Sequence, residues 1–174
     1  MLDKVSSKLN QWLAQAKIVK VKFSEWTSPI SVVPKRDDVR VVLDLKKVNR
    51  TLEVPVYSFP HCDDIFHTLN GVSAFCVIDL TEAYTQLCVH PSSQHLLTIN
   101  TLQGLYRFTR LCYGVSSAPA LFQQFIDSVL QVIPNVCAYL DDILAQGKDL
   151  EECVKIVDLV LSRLSKFNVR INKS

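Results

Sequence analysis

Apolar residues recur along this chain in two periods. Leu2, Val5, Leu9, Leu13 and Ala16 return at three- and four-residue steps, which predicts an amphipathic helix over residues 3–17. Pro29 and Pro34 bracket Ile-Ser-Val-Val, a short strand. Lys35-Arg36-Asp37-Asp38 makes a polar turn, and Val39 to Leu43 returns as the second strand of a basic-tipped hairpin. An extended stretch, Tyr57 to Pro60, leads into a helix from His61 to Leu69 that Asn70-Gly71 closes. Residues 74–79 then form an apolar strand, and Glu82-Ala-Tyr84 turns back over it. Further strands are predicted at Gln86 to Val89, Leu96 to Asn100 and Leu105 to Arg110, the first two separated by Pro91-Ser-Ser. Ala118-Pro119 suits the first turn of a helix running from Ala120 to Gln131, with Leu121, Phe125 and Val129 on one face. Val136 to Leu144 reads as two short apolar strands with Tyr139 to Asp142 near the turn. Asp149 followed by Glu152 is a capping-box start. The helix after it carries Leu150, Val154, Val157, Leu161 and Leu164 and runs to about Phe167, and Val169 to Ile171 begins a strand. Strands packed with helices in this order predict an α+β fold, and no composition break divides residues 1–174.

At 174 residues, 48% apolar and 21% charged, the chain is globular and long enough for a core of ordinary size. No apolar run approaches the roughly 18 residues of a membrane span. The first residues lack the apolar centre of a signal peptide, so a reducing, intracellular setting is expected. Six cysteines (62, 76, 88, 112, 137 and 153) show no zinc-site spacing and read as small core residues of a reduced protein. The four histidines form no ligand pattern either. Residues 1–50 hold eleven Lys/Arg against five Asp/Glu, whereas residues 51–174 hold eight against twelve. A basic part facing polyanion and an acidic part holding cations fits a nucleic-acid enzyme, and a random drift of charge along the chain fits as well.

Asp141 and Asp142 are adjacent carboxylates inside an apolar run, and Asp79 ends another apolar run 62 residues earlier. An ionised carboxylate is costly to bury unless it is paired or holds a metal. Three acids delivered by strand ends could hold two divalent cations about 3.5–4 Å apart, an arrangement used for phosphoryl transfer. An Asp-Asp pair is equally at home in a solvated turn. Lys35, Arg36 and Arg40 on the hairpin suit a triphosphate, because guanidinium groups match phosphate oxygens bidentately; a charged hairpin tip is also commonly just solvated.

Five collinear blocks carry a family resemblance: Ser28-Pro-Ile-Ser-Val-Val, Arg40-Val-Val-Leu-Asp44-Leu-Lys-Lys-Val-Asn49, Phe75-Cys-Val-Ile-Asp79-Leu-Thr-Glu-Ala-Tyr84, Gly114-Val-Ser-Ser-Ala-Pro119-Ala-Leu-Phe122-Gln123 and Tyr139-Leu-Asp141-Asp142-Ile-Leu. With these the chain resembles the fingers and palm of a reverse transcriptase, an RNA-directed DNA polymerase, most nearly that of Ty3/gypsy-class LTR retrotransposons. The resemblance implies a right-hand polymerase fold with an antiparallel palm sheet backed by helices and with the thumb absent, the chain stopping before the primer grip. It implies that Asp79, Asp141 and Asp142 are catalytic and hold two magnesium ions, with manganese able to substitute. It places the Leu80 backbone near the triphosphate and makes Tyr84 the bulky gate that rejects a 2′-hydroxyl. Arg40 matches a fingers arginine that contacts the triphosphate, and Lys35 and Arg36 are both candidates for its lysine partner. Asp44 and Asn49 match family positions of structural type.

Two local departures stand out. The hairpin is short and lacks the family's usual glycine. The segment before the Ala-Pro helix is Cys112-Tyr113-Gly114 where the family has Pro-Phe-Gly or Pro-Gln-Gly, leaving Tyr113 to pack against the nucleotide. The partners implied are an RNA or DNA template-primer, dNTP, and other polyprotein domains such as RNase H and integrase, in the cytoplasm, nucleus or retroelement particles. The alternative is a truncated or decayed remnant that binds nucleic acid without catalysis.

Overall fold

Residues 2–34, 39–61 and 71–172 are described by the computed structural model of the chain. Within them the chain forms two compact units, Met1–Val54 with Leu87–Ala118, and Pro55–Gln86 with Pro119–Ser174. The chain passes from one to the other three times without a Gly/Ser-rich linker, so composition has no boundary to display.

The first unit is built on a five-stranded sheet. Helix α1 (Leu2–Ala14) buries Leu9 and Trp12, and the Trp12 ring meets Phe108 edge-on with centroids 5.4 Å apart. The helix stops before residue 17, because Ala16 takes a left-handed conformation (φ 53°) and turns the chain into β1 (Ile18–Val21). Strands β2 (Ser28–Pro34) and β3 (Val39–Leu43) pair antiparallel, as their apolar runs between prolines predict; the turn 35–38 lies outside the described residues. A short helix α2 (Lys46–Asn49) follows. Strands β5 (Thr98–Thr101) and β6 (Gly104–Phe108) complete the sheet in the order β1-β6-β5-β2-β3, with β2 and β5 parallel. The predicted strand at residues 86–89 reduces to a single bridge, Cys88 to Arg110, and the predicted start at Leu96 is instead the end of a 3₁₀ turn (Gln94–Leu97). Alternation over so few residues does not distinguish a strand from a turn.

The second unit holds an antiparallel sheet of order β4-β8-β7, from β4 (Ala74–Asp79), β7 (Val136–Tyr139) and β8 (Asp142–Gly147). Helices α3 (Ala118–Leu130) and α4 (Leu150–Lys166) belong to it, and α4 packs on β8 and β4. The sequence pattern expects Leu121, Phe125 and Val129 as the buried face of α3. The structure buries Phe122, Ile126 and Val129 and leaves Leu121 exposed, since a helix apolar on most sides does not announce which side faces the core. Helix α4 shows the same offset: Cys153, Ile156, Val160 and Leu164 are buried, whereas Leu150 is 72% exposed and Val154 and Leu161 face outward. Its start follows the expected capping box: Asp149 Oδ1 accepts from the Glu152 N–H at 2.8 Å and Glu152 Oε2 accepts from the Lys148 N–H at 2.9 Å. The helix expected at 61–69 lies almost wholly outside the described residues, as does Cys62. Of the described cysteines Cys112 and Cys153 are core residues, and burial pushes the Cys112 thiol up to about 12; Cys88 is exposed, contrary to the core assignment, because the segment around it forms no strand.

Candidate active site

Strands β4 and β8 run antiparallel in a register that sets Asp79 directly opposite Asp142. Both sit at the same end of the sheet. Asp79 closes β4, and Asp142 opens β8 just after the turn from β7. Asp141 lies in that turn, and its carbonyl accepts from the Leu80 N–H at 2.8 Å, so the backbone ties all three acidic positions together. The turn is tight. Leu140 adopts a left-handed conformation (φ 55°), one that costs a non-glycine residue roughly 1–3 kcal/mol and persists only where the surroundings enforce it.

Like charges facing each other across a strand pair repel. The consequence appears at Asp142, whose carboxyl is held above its ordinary range, first by burial and then by the charges of Asp141 and Asp79. Asp79 is steadied from the other side: its Oδ2 accepts from Asn172 Nδ2 at 2.8 Å, and its backbone carbonyl accepts from the Asn172 N–H at 2.8 Å. The segment carrying Asn172 is in turn clamped by Gln86, whose Nε2 donates to the carbonyls of Thr81 (2.8 Å) and Arg170 (2.9 Å) and whose Oε1 accepts from the Arg170 N–H (2.7 Å). Nothing in the sequence singles out Gln86 or Asn172.

Leu80 is buried, its backbone bridges to Ile171, and its N–H is taken up by the Asp141 carbonyl. Tyr84 is half-buried in the 3₁₀ turn Ala83–Gln86, with its ring edge-on to Phe122 at 5.8 Å between centroids. Burial first, then the Asp141 charge, raises its hydroxyl pKa, so it stays a neutral phenol beside the acids. Asp79, Leu80, Tyr84, Asp141 and Asp142 thus gather in one unit. Tyr113 and Arg40 belong to the other. Tyr113 is about half exposed, and Arg40 pairs with Val33 in the β2–β3 ladder. Lys35 and Arg36 lie outside the described residues. Asp44 and Asn49 have the structural roles expected of them. Asp44 Oδ1 accepts from the Lys46 N–H at 3.2 Å. Asn49 bridges to the 114–116 segment, donating to the Gly114 carbonyl (2.8 Å) and accepting from the Ser116 N–H (3.0 Å).

The donor set consists of hard carboxylate oxygens, the ligand type that magnesium and manganese take. Among the described residues no three His, Cys, Asp or Glu side chains come together closely enough to hold a metal ion by themselves. Magnesium is commonly held by one or two carboxylates together with substrate phosphates and water, so an open set of acids suits it.

Residues 33–174 match the family model described as reverse transcriptase (RNA-dependent DNA polymerase). The chain is 34% identical, over 92% of its length, to a retrovirus-related Pol polyprotein from the transposon opus of Drosophila melanogaster. It is 30% identical, over 99% of its length, to a transposon Tf2-3 polyprotein of Schizosaccharomyces pombe. Among solved structures, prototype foamy virus protease-reverse transcriptase superposes on 97% of the chain with a TM-score of 0.87 and 27% identity. A foamy viral protease-reverse transcriptase in complex with an RNA/DNA hybrid superposes on 99% with a TM-score of 0.86 and 26% identity. The chain spans 17% and 13% of the two polyproteins and 23% and 24% of the two viral chains.

Proposed function

This chain belongs to the reverse transcriptase (RNA-dependent DNA polymerase) family, and from that premise we propose that it is the fingers and palm of an RNA-directed DNA polymerase from a retroelement polyprotein. The observation that supports this best is the pairing of Asp79 with Asp142 at one sheet end, with Asp141 bound through its carbonyl to Leu80. The first unit corresponds to the fingers and the second to the palm. The substrates are a template-primer of RNA or DNA and a deoxynucleoside triphosphate, and the setting is intracellular, among other domains of the polyprotein.

Asp79, Asp141 and Asp142 would hold two magnesium ions. When bound, such ions supply charge neutralisation on the triphosphate and acidify the primer 3′-hydroxyl for attack on the α-phosphorus. The protein's own part is positional. The ladder register fixes the separation of the Asp79 and Asp142 backbones, so the carboxylates are presented together without reorganisation. Asn172 holds the Asp79 carboxylate from the side. Leu80, whose N–H is held by the Asp141 carbonyl, would lie beside the triphosphate rather than donate that N–H to it. Tyr84, braced on Phe122, places a rigid ring where a 2′-hydroxyl would clash, which selects deoxynucleotides. The family resemblance gives Arg40, with Lys35 or Arg36, the role of neutralising triphosphate charge and Tyr113 that of packing on the nucleotide.

The test is incorporation of labelled dNTP on an RNA template with a DNA primer and magnesium, comparing the chain with its Asp79→Asn variant, each alone and within its polyprotein context. Extension by the parent that the variant loses is expected. Extension that survives Asp79→Asn, or template binding with no extension in any context, would overturn the assignment.

A further inference from the structure

Gln123 is fully buried in α3, and both ends of its amide are engaged. Nε2 donates to the Ala138 carbonyl at 2.8 Å and to Asp127 Oδ1 at 3.0 Å, while Oε1 accepts from the Leu140 N–H at 2.8 Å. Ala138 and Leu140 flank Tyr139, so one side chain grips the backbone on both sides of the residue that leads into the acidic turn. Leu140 is also the residue in left-handed conformation.

We propose that Gln123 is the positioning residue of the acidic hairpin: its amide holds Leu140 in the left-handed conformation from which Asp141 and Asp142 are presented toward Asp79. The proposal rests on the reading of those three aspartates as metal-holding groups. The orientation of the amide is dictated chemically. One end meets two acceptors, a carbonyl and a carboxylate, and the other meets a backbone donor, so only one of the two amide orientations satisfies all three. Asp127 supplies the carboxylate, and its second oxygen is occupied by the Tyr57 hydroxyl at 2.6 Å. The hydrogen bond to Asp127, followed by burial and the Asp127 charge, pushes Tyr57 up to about 12, which keeps it a donor at neutral pH. Tyr57, Asp127 and Gln123 therefore form a chain of hydrogen bonds that ends on the turn. Replacing Gln123 alone by an apolar residue of the same shape would leave the Leu140 N–H and the Ala138 carbonyl without their partner, which costs the full desolvation penalty of each group left unpaired.

The full chain is compared with Gln123→Met, which keeps the volume and removes both ends of the amide. Amide hydrogen exchange is followed at Leu140 and, as an internal reference, at Ile143 in the β8 ladder. Manganese(II) alone is titrated while the broadening of the Asp141 and Asp142 amide resonances is recorded, with Asp79→Asn as the control. Gln123→Met is expected to speed exchange at Leu140 by about tenfold, the size of one lost hydrogen bond, with Ile143 unchanged and manganese bound several-fold more weakly. Unchanged protection of Leu140 would overturn the positioning role. So would lost protection with manganese affinity intact, which would detach the turn from the carboxylates. Absence of site-specific broadening in the parent would instead sink the metal reading, and the proposal with it. Should Gln123→Met fail to fold, Tyr57→Phe acts at the far end of the same chain, and about threefold faster exchange at Leu140 is expected; no change there would count against the proposal.

Discussion

Replacing Asp142 by asparagine should make the protein more stable while removing the proposed activity. Asp142 stands opposite Asp79 in the ladder and next to Asp141 in sequence, and burial together with these two charges raises its carboxyl pKa in the folded chain. Asparagine keeps the shape and deletes the charge. A like-charge pair directly across two strands destabilises by roughly 0.2–1 kcal/mol, and solvent screening at this largely exposed residue places the gain near the middle of that span, about 0.5 kcal/mol. For a chain of this size that is a rise of about 1–2 °C in Tm. The sign follows from linkage. A raised folded-state pKa means that the folded chain binds the proton more tightly than the unfolded chain does. The parent is therefore favoured where Asp142 is protonated, and it loses that contribution as the pH rises through the folded pKa. The advantage of D142N should accordingly be present at pH 7 and vanish once the pH falls below the ordinary carboxylate range near about 3.9. Calorimetry at pH 7 and at pH 3, at low and high salt, measures it, and salt should shrink the gain. Added magnesium should raise the parent's Tm and leave that of D142N nearly unmoved, since only a folded state that binds the ion is stabilised by it. A lower Tm for D142N at pH 7, or the same gain at pH 3, would refute the electrostatic account.

Three further outcomes are expected. Gly147→Ala should destabilise by about 2–4 kcal/mol, because a Cβ there would press on the Cys153 amide nitrogen and lie 2.9 Å from Cys153 Cα and 3.0 Å from the Asp149 carbonyl, all backbone atoms of the capped start of α4; urea unfolding reads the loss. Asn49→Ala removes two hydrogen bonds to the 114–116 segment and should lower stability by about 1–2 kcal/mol in the same assay. Tyr84→Ala should relax discrimination against ribonucleotides in single-nucleotide extension by at least about tenfold, a change near 1.4 kcal/mol in selectivity, and unchanged discrimination would remove Tyr84 from the gate.

The acidic hairpin is readable because two apolar runs can enclose adjacent carboxylates only by lifting them to a turn, and the turn falls between Tyr139 and Asp142 as expected; the register that sets Asp79 opposite Asp142 is not readable. The capping box before α4 was readable for a similar reason: its two side chains act locally, within four residues. What was not readable depends on distant partners. The sequence pattern puts the buried faces of α3 and α4 partly on the wrong residues, since both helices carry apolar residues beyond a single stripe and only the packing they meet decides between them. Gln123 looks no different in sequence from Gln124 beside it, although one is fully buried and the other exposed. Asn172 reaches Asp79 across 93 positions, a pairing no short-range pattern encodes.

The interleaving of the two units has a consequence for synthesis. Within this stretch a ribosome delivers Met1–Val54 before the rest, but that segment lacks β5 and β6 until Leu87–Ala118 has emerged, so β2 must wait for its parallel neighbour. Strand β4 is made in between and waits longer still, because β8, which carries Asp142, emerges more than 60 residues later. Neither unit can close while the chain is half made. The nascent polypeptide therefore exposes unpaired strand edges over most of its translation, the period in which such edges invite aggregation and chaperone capture. Pausing translation once Leu87–Ala118 has cleared the ribosome should let the first unit close, whereas pausing before Leu87 has cleared it should let neither close.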